Sequence, residues 1–156
     1  MTKIYRIFQR IFIIAAVALI DVACTQNDGD IGDLFGVWRL TQLTADGTPL
    51  PLYEGDDAPV AYDWAFQGDV IKIVVVEHHQ DYYSSFGMWS REDGRLLLDF
   101  SYGGNEISEF DPPASLHLVE VGVTPLEMTV MTSKKMVGWY VDENGVKYEY
   151  TLKKLY

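Results

Sequence analysis

The stretch "DENGVKYEYTLKKLY" (Asp142–Tyr156) decides the fold. Val146, Tyr148, Tyr150 and Leu152 occupy every second position, with Lys147, Glu149, Thr151 and Lys153 between them. Successive side chains of a strand point to opposite faces, so this alternation predicts a half-buried strand over 146–154. Asn144-Gly145 separates it from a second apolar run, and both residue types tolerate the positive φ that a type I′ turn demands. The reading is a hairpin that pairs 135–142 with 146–154.

The same pattern continues toward the N-terminus. Strands are expected at 126–132 (Leu126, Met128 and Val130 inward), 115–121 (Leu116 and Leu118) and 94–102 (Leu96, Leu98 and Phe100). Asp93-Gly94 supplies a hairpin from a strand at 82–90, preceded by strands at 69–77, 61–67 and 35–43. No segment after Ile31 keeps the 3.6-residue apolar period of a helix for three turns. Consecutive antiparallel strands without covering helices must protect their edges, and closure removes them. The fold class is therefore all-β: an up-and-down antiparallel barrel of eight or nine strands. At that size a barrel is either filled by its own side chains or just wide enough for one small ligand.

The first strand reads "LFGVWRLTQLTADG", and Gly36-Val37-Trp38 resembles the G-x-W element that opens the lipocalins and their relatives. In that group the tryptophan closes the barrel base and a basic side chain from the last strand covers its ring. The resemblance assigns this role to Lys153 or Lys154, and Gly36, Trp38, Lys153 and Lys154 to structure. The Thr-Asp-Tyr motif, a helix after the last strand and a disulfide are not evident. With the leader described next, the chain resembles the lipocalin-like domain lipoproteins of Gram-negative bacteria. That resemblance implies a small, largely apolar ligand, and a lid after the first strand, where Leu50, Leu52 and Tyr53 lie.

The N-terminus carries Lys3, Arg6 and Arg10 and then the apolar run Ile11 to Ile20. As a helix this run spans only about 15 Å, against roughly 30 Å for a bilayer core, and the order of charge and apolarity is that of a secretory signal peptide. The following "DVAC" resembles a lipobox, which makes residues 1–23 the signal peptide and Cys24 the lipidated first residue of the mature chain. Asp21 departs from the usual apolar residue of that motif. Acyl chains such as palmitate on Cys24 would hold the protein on the outer membrane, since each buried methylene contributes about 0.8 kcal/mol. Residues 24–33 are a flexible acidic tether similar to the surface-export signal of some lipoproteins, and 34–156 form the barrel domain.

Cleavage removes three of the 12 basic and one of the 23 acidic residues, which moves the net charge from −11 to −13. That surface repels phosphate, so no nucleic-acid partner is expected. In "VEHHQD" (76–81), His78 and His79 alternate across a strand and could share an ion with Glu77 or Asp81 only at a turn; a solvated hairpin tip is the plainer reading, and no metal or cofactor is expected. His117 should point outward from a strand, and no nucleophile motif accompanies it, so catalysis is not expected. The aromatic residues Trp64, Trp89, Trp139, Tyr82, Tyr83, Phe86, Tyr140, Tyr148 and Tyr150 are foremost core; Leu52, Trp139, Tyr148 and Tyr150 are the candidates for the wall and lid of a ligand cavity. The long segments 44–61 and 103–114 suit a lid or an envelope protein partner. A side-chain-filled barrel acting as a structural or interaction module is the alternative.

Overall fold

The computed structural model describes residues 34–52, 61–76, 82–104 and 108–156. The leader, Cys24, the tether, Tyr53 and the 77–81 histidine segment lie outside these residues. Nine strands form one antiparallel sheet: β1 (Gly36–Ala45), β2 (Thr48–Pro49), β3 (Ala61–Gln67), β4 (Val70–Val76), β5 (Tyr82–Glu92), β6 (Arg95–Asp99), β7 (Val123–Met131), β8 (Lys135–Val141) and β9 (Lys147–Lys154). Each of the strands from β3 to β9 pairs with the next, and β1 pairs with both β3 and β9, so eight strands close into a barrel. The two-residue β2 is an addition at the end of β1.

Local chemistry sets the turns. Asp46-Gly47 and Asp93-Gly94 both have positive φ at both residues, the type I′ geometry that matches strand twist. The second was expected; the first shortens the expected 44–61 loop by folding β2 onto β1. At Asp142–Gly145 the expectation of a type I′ turn is corrected. Only Gly145 has positive φ, because the Asp142 carboxylate accepts the amides of Asn144 (2.9 Å) and Val146 (2.8 Å) and builds a longer turn.

The inward faces match the alternation. Trp38, Leu40, Tyr62, Trp64, Phe66, Ile71, Ile73, Leu96, Leu98, Phe100, Tyr150 and Leu152 are all buried, and each such apolar side chain contributes about 1.5–3 kcal/mol. A bulge between Met128 and Val130 turns Val130 outward, opposite Val137, and brings Met131 opposite Met136. On the outer side of β1–β3, Arg39 grips Asp63 through two 2.8 Å bonds, which raises the Arg39 pKa and fixes the register of directly paired residues.

One expected strand is absent. Residues 115–121 form no ladder; the segment after β6 holds two 3₁₀ turns, Ser108–Phe110 and Ala114–Leu116, before β7 begins. Pro112 and Pro113 bring no N–H to a ladder. Leu116 and Leu118 are nonetheless buried, as anchors of a connection rather than as one face of a strand.

Candidate functional site

The barrel has two unlike ends. At the base lie the start of β1, the end of β9 and the turns after β3, β5 and β7. Trp38 is fully buried there, its indole N–H donates to Leu34 O at 2.8 Å, and Lys154 Nζ lies 5.2 Å from the ring centre. Lys153, one position away, projects to the exposed outer face. Gly36 has φ 120, and a Cβ there would come within 2.3 Å of Tyr156 O. That close approach lets Val37 donate to Tyr156 O and Leu155 to Val37 O, so the start of β1 and the residues after β9 seal the base.

At the opposite end, the mouth, the β6–β7 connection folds over the opening. Phe100 donates to Gly122 O at 2.8 Å, pinching its ends together. Four side chains of the barrel wall then hold its middle. Tyr150 Oη donates to Leu116 O (2.8 Å), Tyr140 Oη donates to His117 O, Tyr62 Oη bonds Ser115 Oγ (2.6 Å), and Thr124 Oγ1 accepts Val119 N (2.9 Å). Burial pushes the Tyr140 pKa up to about 12, helped by the nearby Asp142 carboxylate, and burial likewise holds Tyr150 well above the ordinary tyrosine value. Both hydroxyls therefore stay protonated and donating.

The interior beneath this plug is packed. The rings of Trp64 and Tyr150 lie 5.7 Å apart, and Phe66 and Trp89 meet edge to face at 5.6 Å. The inward glycines are filled by neighbours: a Cβ at Gly87 would lie 2.8 Å from the Phe100 ring, and one at Gly138 would lie 2.8 Å from Met128 Sδ. Among the described residues three buried side-chain polar atoms lack a partner: Trp64 Nε1, Ser85 Oγ and Trp89 Nε1. Trp64 and Ser85 flank Ile73 in one cross-strand row of the inner wall.

The four expected ligand residues therefore separate. Tyr150 is fully buried and tethers the plug through its hydroxyl. Trp139 lies on the outer face, opposite Glu149, with Lys147 Nζ 4.5 Å from its ring; alternation along β8 puts Met136, Gly138 and Tyr140 inside instead. Leu52 packs half-buried against the core with Leu50. Tyr148 is half-buried at the rim and faces a cleft.

That cleft, of about 680 Å³, lies between the plug (Ala114–Glu120) and the rim of β7–β9. It owes its existence to Pro125. The β7–β8 ladder stops at Glu127 opposite Trp139, short of the mouth, since Pro125 has no N–H to give to β8. The strands part above this point, and the space is lined by Leu118, Val123, Pro125, Tyr140 and Tyr148. Rings step from core to cleft: Tyr150 to Tyr140 (6.4 Å), Tyr140 to Tyr148 (5.8 Å), and Tyr148 to His117 (4.8 Å, 11° between planes). His117 is exposed as expected, but from a left-handed backbone (φ 52) that ends the 3₁₀ turn. Such a conformation in a residue other than glycine is sparsely populated and is found at functional sites. A second hollow of about 580 Å³ lies between Val75, Tyr83 and Asp111–Ala114. Among the described residues no group of three or more potential metal ligands gathers.

Sequence reasoning missed Tyr140 and His117 as cleft residues. Tyr140 was within reach, since the hairpin register places it directly opposite Tyr148. His117 was not, because its position depends on the 3₁₀ turn.

No protein-family model matches the sequence, and no curated protein is significantly similar to it in sequence. Two solved structures resemble the fold. A lipocalin-like protein from Bacteroides uniformis has 17% identity and a TM-score of 0.55, covering 80% of this chain and 100% of that one. An uncharacterized protein from Bacteroides eggerthii has 16% identity and a TM-score of 0.55, covering 78% and 98%. The chain thus has a lipocalin-like fold, an eight-stranded antiparallel barrel with one added strand.

Proposed function

We propose that this protein is a cell-envelope lipoprotein, anchored through acyl chains on Cys24, whose barrel is a non-catalytic binding module with its site in the mouth cleft. The observation that carries the reading is the contrast between a packed interior and a ligand-sized, aromatic-lined cleft. Small-molecule sites measure about 300–1,000 Å³, and the cleft, at about 680 Å³, falls in that range. A binder is favoured over a catalyst because the His117 ring lies flat on Tyr148 rather than against a hydroxyl or carboxylate.

Mass spectrometry of small molecules extracted from the protein purified from its own host tests the site. A compound recovered from wild type and lost from Tyr148→Ala supports it; a compound retained by Tyr148→Ala and lost from Trp64→Phe would place binding inside the barrel and overturn it. Uptake of labelled palmitate by wild type and not by Cys24→Ala supports the anchor, and absence of label from wild type removes it.

A second reading, a docking module for an envelope protein, draws on Tyr102, Val121, Val123 and Val141, exposed apolar side chains around the same rim. A mature protein that carries no small molecule, and whose rim variants lose a defined partner while Tyr148→Ala keeps it, would favour that version.

A further inference from the structure

The base carries a charge opposite to that of the chain as a whole. Five of the nine basic residues that remain after cleavage (12 less three), Arg39, Lys134, Lys135, Lys153 and Lys154, gather where β1, β8 and β9 meet, in a mature chain with 22 acidic residues (23 less one). Three of them form one cross-strand row on the outer wall, because Lys153 is the register partner of Arg39 on β1 and of Lys135 on β8. Lys134 joins them from the turn, where its carbonyl accepts the Lys154 amide at 3.0 Å. Like charges directly opposite in a ladder are destabilising, and in that row only Arg39 is offset, by Asp63. Lys134, Lys135 and Lys153 are exposed and have no carboxylate partner among the described residues. Phe35, Leu155 and Tyr156, all exposed, border the row: Phe35 precedes Gly36, and Val37 exchanges backbone bonds with Leu155 and Tyr156. The other charged groups at this end, Asp69, Arg91, Glu92, Asp93 and Arg95, lie on or beside the turns after β3 and β5, where positive and negative nearly cancel.

A cationic face edged by apolar side chains is complementary to anionic headgroups over acyl chains, and the covalent chain keeps this face near them. Leu34, whose carbonyl accepts the Trp38 indole at the base, lies ten residues after Cys24. A chain extends at most about 3.6 Å per residue, so the base stays within about 36 Å of a lipid on that cysteine. The tether's Asp28, Asp30 and Asp33 add only negative charge, so attraction to the headgroups has to come from the base. The net charge (−11, or −13 after cleavage) repels an anionic surface at range, but charges more than about 8 Å apart are largely screened at physiological salt. The lysines therefore act at contact, which the anchor brings about by raising the local concentration of the base at the bilayer. Resting on the anchor at Cys24, we propose that the base is the membrane-facing surface of this protein: Lys134, Lys135 and Lys153 lie on anionic lipid headgroups, Phe35, Leu155 and Tyr156 enter the headgroup layer, and the barrel stands with its mouth turned away from the bilayer.

The mature chain, coupled through Cys24, its only cysteine, to maleimide lipid in vesicles, tests this by hydrogen exchange and mass spectrometry. On vesicles containing phosphatidylglycerol, peptides covering 132–136 and 153–156 should exchange about fivefold more slowly than on phosphatidylcholine alone, while peptides covering 114–122 at the mouth exchange equally on both, and salt at about 0.5 M should remove the difference. Lys134→Gln, Lys135→Gln and Lys153→Gln together should abolish the slowing and leave Tm unchanged or higher, since they remove repulsion within the row; arginine at the same three positions should keep the slowing. Equal exchange of the base on both vesicles, slowing confined to the mouth, or slowing that survives the triple glutamine variant overturns the docking surface. Slowing of the base to the same degree by heparin without vesicles assigns the lysines to a soluble polyanion and overturns it too. The coupling supplies the anchor chemically, so these results are independent of palmitate uptake in the host, whose absence overturns the anchor itself.

Discussion

Ser85→Ala should stabilise the protein. Ser85 is fully buried on the inner face of β5, paired with Ile73, and its hydroxyl has no partner among the described residues. A buried hydroxyl without a hydrogen bond costs about 1–3 kcal/mol, because it has left water and gained nothing in return. Alanine removes that penalty and leaves a void of only one oxygen atom, so the net gain should be about 1–2 kcal/mol. For a domain of this size 1 kcal/mol moves Tm by about 4 °C, so the midpoint should rise by about 4–8 °C. Thermal unfolding followed by circular dichroism, with a urea series to confirm an unchanged slope, measures it. A fall in Tm of similar size would show that the hydroxyl is satisfied by something inside the barrel, and the description of the interior as a sealed core would be wrong.

Gly36→Ala should be among the most damaging single changes outside the core, costing about 3 kcal/mol or more, since a Cβ there meets Tyr156 O at 2.3 Å on a backbone of φ 120; urea unfolding checks it, and a loss below about 1 kcal/mol contradicts the sealed base. Tyr150→Phe should cost about 1–1.5 kcal/mol and speed hydrogen exchange of the Leu116 and His117 amides more than that of β4 amides, as its hydroxyl holds Leu116 O. Stability should also fall in alkali. The folded-state pKa values of Tyr140 (about 12) and Tyr150 are raised above the ordinary 10.0, so their contribution is whole below about pH 10 and is lost as pH rises toward 12. The double variant Tyr140→Phe with Tyr150→Phe should flatten that decline in the urea midpoint, and an unchanged profile would contradict the assignment.

Most of the barrel was legible because period-two burial is a local signal. Residues 61–67 form a strand with the bounds that the pattern gives, and Tyr148, Tyr150 and Leu152 face inward as the closing stretch requires. Asp93-Gly94 was readable because only a few dipeptides accept positive φ twice in succession. What failed was whatever depended on a distant partner. Leu116 and Leu118 alternate like a strand, yet they join no ladder, and the carbonyls of Leu116 and His117 are met instead by tyrosine hydroxyls from β9 and β8. Trp139 looked like a cavity wall by its size, while the parity of Met136 and Tyr140 on the same strand already placed it outside. The cleft itself was hidden because it arises from one proline ending a ladder, an effect visible only once the register of β7 against β8 is known.

The claim at the centre is that recognition happens at the rim, over a barrel filled by its own side chains. A crystal structure of the protein as purified from its host, with whatever it carries, tests this most directly. Ligand density stacked on Tyr148 and His117, with Trp64 and Ser85 touching only protein and Leu116 in place, is the predicted result. Density between Trp64 and Ser85, with Leu116 displaced from the mouth, would contradict it.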